Sequence, residues 1–157
     1  MSFDFNADDI LQIAIDIEKN GASFYRTSAK KIDDPSAKAL LLDLAAMEDE
    51  HEKTFQTLRR SLSEDEKAST VFDPGGEAAL YLKALADTRV FFEKTIDSSK
   101  LEGILKEAIT AEKDSIVFYL GMKELVPETL GKKRIDAIIR EEMSHIKLLS
   151  KELVSVR

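Results

Sequence analysis

Leu41, Leu44, Glu48, His51, Phe55, Leu58 and Leu62 follow one another at alternating steps of three and four, the spacing of a helix face buried in a bundle. A glutamate and a histidine stand in the middle of that apolar seam. Because an isolated buried charge is costly, a chain patterned this way must bring something to answer these two residues. The pattern returns in Ile135, Ile138, Glu142, His145 and Leu149. Two further stripes, Ala7, Leu11, Ala14, Glu18, Gly21, Tyr25, Ser28 and Leu101, Leu105, Ala108, Glu112, Ser115, Tyr119, Met122, carry one glutamate each. Every periodic segment therefore turns a glutamate inward, and two of them add a histidine one turn on.

The stripes are related by an internal repeat. Ala14-Ile15-Asp16-Ile17-Glu18-Lys19 through Phe24-Tyr25 recurs 94 residues later as Ala108-Ile109-Thr110-Ala111-Glu112-Lys113 through Phe118-Tyr119. The same offset carries Glu48 onto Glu142 and His51 onto His145. Punctuation divides the chain accordingly. Asp33-Asp34-Pro35-Ser36 stops one helix and starts another, with Asp34 able to cap and Pro35 suited to the first turn. Further breaks fall at Ser63 to Gly76 and at Pro127. Four long helices are predicted over roughly 7–30, 35–62, 100–126 and 128–155, forming a duplicated hairpin of about 7–62 and 101–156. The crossover between them, 63–98, holds one or two shorter helices within Glu77 to Ile96. All 157 residues are read as a single all-α domain.

Composition excludes several chemistries. With no cysteine there is no disulfide, thiolate nucleophile, zinc finger or rubredoxin-type iron within these residues. Thirty acidic against 23 basic residues give a net charge of -7, which argues against a nucleic-acid surface. No stretch resembles a signal peptide or a membrane span, so a cytoplasmic protein is expected.

The glutamates and histidines are expected to converge. Residues of a hairpin pair about its turn, and position 33, midway between Glu18 and Glu48, falls in the first turn. The midpoint of Glu112 and Glu142 is Pro127. All six groups should thus share one layer near mid-height. Four carboxylates there need protons or metal, and two divalent cations would bring the layer close to neutrality. Glutamate oxygens with imidazole nitrogens suit iron or manganese.

Two hairpins joined by one long crossover, with Glu-x-x-His on two helices and a lone inward glutamate on each of the other two, is the arrangement of ferritin-like di-iron carboxylate bundles. The motifs here are Glu48-Asp49-Glu50-His51 and Glu142-Met143-Ser144-His145, with Glu18 and Glu112 as partners. The chain most resembles the rubrerythrin branch, over nearly its full length. That resemblance implies two iron ions bridged by Glu48 and Glu142, with Glu18 and Glu112 more terminal and His51 and His145 on one metal each. It implies a peroxidase acting on hydrogen peroxide, or dioxygen, with electrons from an external donor such as a rubredoxin or reductase. A homodimer is also expected from the resemblance. Rubrerythrins carry an additional glutamate one turn from the third-helix ligand; here the flanking positions are Ile109 and Ser115, so ligand exchange through such a group is not expected. Iron oxidation and storage, or a bundle kept only for interactions, are the competing functions.

Other residues read more plainly. Tyr25 and Tyr119 lie two turns beyond Glu18 and Glu112 and read as core aromatics whose hydroxyls need a partner, with a ligand carboxylate as one option. Glu50, Glu52 and Glu141 point off the stripes toward solvent. Ser63 to Lys67 reads as a polar linker, and Leu80, Val90, Phe91 and Phe92 as cover for the bundle or a dimer surface.

Overall fold

The structure, a computed structural model, describes residues 7–62, 80–82, 84–85, 100–125 and 128–156. Its four long helices are α1 (Ala7–Ala29), α2 (Pro35–Arg60), α3 (Leu101–Leu125) and α4 (Glu128–Val156). The first turn forms as its residues dictate. Asp34 is extended, with φ -61° and ψ 117°, and its carboxylate accepts the Ala37 N–H at 2.8 Å. Pro35 opens α2, where it has no N–H to leave unsatisfied. Pro127 lies outside the described residues.

α1 packs on α2 and α3 on α4 as hairpins, with α1 also against α3 and α2 against α4. The apolar faces collect into two clusters. One joins Ile10, Leu11 and Ile17 of α1 to Phe55 and Leu58 of α2, Phe118 and Met122 of α3 and Ile135 of α4. The other joins Tyr25 and Ala29 to Leu41 and Leu44, Ile104 and Leu105, and Leu149. The first cluster therefore gathers the C-terminal halves of both α2 and α3, which must run parallel. A 26-residue helix is about 39 Å long, so the chain leaving α2 has to travel back along the bundle before α3 can begin. That is the physical reason for the long crossover, and it gives the ferritin-like topology.

Every residue of the four predicted stripes is buried except Leu101, which is partly so. Of the crossover, residues 80–82 and 84–85 are helical. Leu82 is fully buried and Leu85 packs beside it, whereas Leu80 is 52% exposed. The expectation that Leu80 covers the bundle is thus corrected. Leu82 and Leu85, three residues apart, share the inward face, and Leu80 stands off it. A Cβ on Gly121 would lie 2.8 Å from Leu82 Cδ2, so a larger residue there would make the end of the Leu82 side chain shift. Val90, Phe91, Phe92 and the Ser63 to Lys67 segment lie outside the described residues.

The expected unbroken helix over 128–155 is interrupted. Gly131 has φ 132° and ψ 41°, which kinks the first turn of α4 away from the rest. That positive φ is what favours glycine, and a Cβ there would also stand 2.9 Å from the end of the Leu58 side chain of α2. Replacing Gly131 by alanine should cost about 1–3 kcal/mol of stability, read as a lower denaturation midpoint with an unchanged denaturant slope.

Candidate metal centre

Between the two apolar clusters lies a polar layer. Glu18 of α1, Glu48 and His51 of α2, Glu112 of α3 and Glu142 and His145 of α4 are each at most 3% exposed. The heptad-like spacing puts them there: each continues the stripe whose leucines and isoleucines form the clusters above and below. The expected convergence occurs. His51 Nδ1 is 2.8 Å from Glu142 Oε1, 3.5 Å from Glu18 Oε2 and 3.7 Å from Glu48 Oε2. His145 Nδ1 is 3.1 Å from Glu48 Oε1, 3.4 Å from Glu112 Oε1 and 3.8 Å from Glu142 Oε2. The two imidazoles stack with centroids 5.7 Å apart.

Two overlapping groups result, Glu18, Glu48, His51, Glu142 and Glu48, Glu112, Glu142, His145, each with its ligand-type atoms within 4.8 Å of one another. Glu48 and Glu142 belong to both. One buried atom of each of the six residues, Glu18 Oε2, Glu48 Oε1, His51 Nδ1, Glu112 Oε2, Glu142 Oε1 and His145 Nδ1, has no hydrogen-bond partner among the described residues. This holds even at 2.8 Å, because the imidazole and carboxylate are not aligned for donation. Buried polar atoms are seldom left this way, and six pointing into one layer fit cations better than each other.

The tyrosines each hold one oxygen of the lone glutamates. Tyr25 donates to Glu112 Oε1 at 2.5 Å and Tyr119 donates to Glu18 Oε1, each crossing from one hairpin to the other. Each is therefore both a core aromatic and a partner of a cluster carboxylate. Burial pushes both phenols well above their ordinary value, and the neighbouring carboxylates push the same way. They act as fixed neutral donors.

Sequence reasoning missed the outer contacts of the histidines. Glu141, expected to face only solvent, is 57% exposed yet lies 2.5 Å from His51 Nε2 across the α2–α4 contact. His145 Nε2 instead meets Met47 Sδ at 3.1 Å. The signal was present in the repeat, since Met47 and Glu141 occupy equivalent positions, but a single helix's period cannot show which neighbour an off-stripe side chain reaches.

Charge compensation among the protein groups alone is partial. Burial, and then Glu48 beside it, raises Glu18 well above the ordinary carboxylate range. Burial and the Glu112 charge do the same to Glu142. Glu48 goes the other way: burial opposes its charge, but Glu18 and both histidines outweigh that and hold it low. For His145 burial also opposes the charged form, and Glu112 and Glu48 win, pushing it up to about 9. Without metal the layer must therefore hold protons.

The pH dependence follows in sign. His145 is raised from 6.5 to about 9, so its stabilisation is complete below 6.5 and is lost as pH rises through about 9. Glu18 and Glu142, also raised, cost stability as pH climbs above the ordinary 4.5, whereas the lowered Glu48 matters only in acid. The metal-free protein should lose thermal stability between pH 6.5 and 9, and a saturating divalent metal should flatten or reverse that slope in calorimetry. Tyr119→Phe should cost the metal-free protein about 1–3 kcal/mol in denaturant unfolding, since Glu18 Oε1 loses its donor in a dry site.

The comparisons with known proteins agree with this geometry. The rubrerythrin family model matches residues 9–153. No curated protein matches in sequence. Among solved structures, a chain from Thermotoga maritima described as a ferritin-like diiron-carboxylate protein is 26% identical, superposes with a TM-score of 0.74 and matches over 97% of both chains. A family match over almost the whole chain, on a ferritin-like bundle with a buried carboxylate and histidine layer, identifies it: the chain belongs to the rubrerythrin family.

Proposed function

We propose that this protein is a di-iron oxidoreductase that reduces hydrogen peroxide with electrons from a separate donor. One observation carries the reading: six buried ligand-type atoms, one from each predicted residue, lack hydrogen bonds and fall into two groups sharing two carboxylates. Glu48 and Glu142 would be shared between two metals, Glu18 and His51 would complete one position, and Glu112 and His145 the other. Four carboxylates against two divalent ions leave the layer near neutral, which satisfies the cost of burying them. Cleaving hydrogen peroxide to two waters consumes two electrons and two protons, and two ferrous ions held by these residues would supply the electrons.

The remaining work belongs to the chain. Tyr25 and Tyr119 fix Glu112 and Glu18 by donating to one oxygen of each, which leaves Oε2 of each carboxylate without a hydrogen bond among the described residues. The apolar clusters above and below keep that layer dry, which strengthens every charge interaction inside it. Electrons must be restored from outside these residues, because the chain has no cysteine to hold a rubredoxin-type iron.

The test is anaerobic. Iron-loaded, chemically reduced protein should bind about two irons per chain and consume hydrogen peroxide, and Glu48→Ala should slow consumption by at least about tenfold, the lower end of what even outer partners of a metal ligand are worth. Equal rates for the two proteins would sink the reading.

A further inference from the structure

We infer that the two metal positions are built to be unequal, with Glu141 acting as a positioning residue that makes the His51 position the one filled first. The inference rests on the di-metal reading of the site. Both histidines turn Nδ1 toward the buried carboxylates and Nε2 outward. A histidine that ligates through Nδ1 carries its remaining proton on Nε2, and what accepts that proton sets the ring's orientation and its strength as a ligand. His51 Nε2 donates to the Glu141 carboxylate at 2.5 Å, a charge-assisted hydrogen bond. Among the described residues His145 Nε2 meets the Met47 thioether at 3.1 Å, a weak and uncharged acceptor.

The contrast is sharpened by the repeat. Glu141 and Met47 occupy equivalent places, each one residue before the glutamate shared by the two groups. The two groups themselves are matched between the halves: one lone glutamate, one shared glutamate, one histidine and one crossing tyrosine apiece. What backs each imidazole, by contrast, is not matched. Glu141 also brings a negative charge close to the His51 position without itself belonging to either group, which favours a cation there over the His145 side.

Glu141 is more than half exposed, so it can be changed without opening the core. Anaerobic titration of the metal-free protein with Co(II), followed by its visible absorption and by calorimetry, should give two steps whose affinities differ by about 10–100-fold, the usual worth of an outer partner to a metal-bound histidine. Glu141→Gln should weaken the first step and bring the two together while leaving the stoichiometry at two. Met47→Glu should strengthen the second step, and in the exchanged variant Met47→Glu with Glu141→Met the two steps should separate again. A loss of helix structure alone would weaken both steps in parallel and could not produce that return. Two equal steps in the unaltered protein, or a Glu141→Gln effect shared equally by both, would overturn the inequality and leave the di-metal reading intact. Failure to bind two equivalents at all would overturn both.

Discussion

Four glutamates and two histidines share a single layer in which none is more than 3% exposed, and the rest of the bundle is arranged around the cost of keeping them there. A buried carboxylate without a counter-charge is among the most unfavourable groups a fold can hold. The chain's own groups answer only part of that cost, by leaving Glu18 and Glu142 reluctant to ionise and His145 reluctant to lose its proton. What remains is six inward atoms without hydrogen bonds, a demand for cations written into the apolar core.

The surrounding structure meets the mechanical half of that demand. Two apolar clusters grip the helices on either side of the layer, so the six side chains are held by rigid elements rather than loops. Tyr25 and Tyr119 reach across from opposite hairpins to Glu112 and Glu18, which ties the two halves of the molecule together at the height where the charges meet. In this arrangement α2 and α3 run parallel. They require the long connection, and its Leu82 is tucked against Gly121 to seal one side of the bundle.

A duplicated hairpin would be expected to make two equivalent half-sites, and inside the layer it does. Outside it, the copies have diverged. Asp49 pairs with Arg26 on the surface of the first hairpin, while the equivalent Met143 and Leu120 of the second are exposed apolar residues. Met47 and Glu141 differ in the same manner, but these two touch the imidazoles, so there the divergence reaches the site.

The sequence by itself determined the helices, the inward face of each, the identity of the six polar residues and their common height, because a period of 3.6 and a symmetric turn fix all of these locally. Asp34 and Pro35 set the first turn as their chemistry requires. The tertiary structure alone decided which atoms meet. That Tyr25 serves Glu112 and not a residue of its own hairpin, that the exposed Glu141 reaches His51, and that Gly131 sits against Leu58 are all contacts between helices. Periodicity along one helix carries no information about the rotation and separation of its neighbours, and it is those that set the distances.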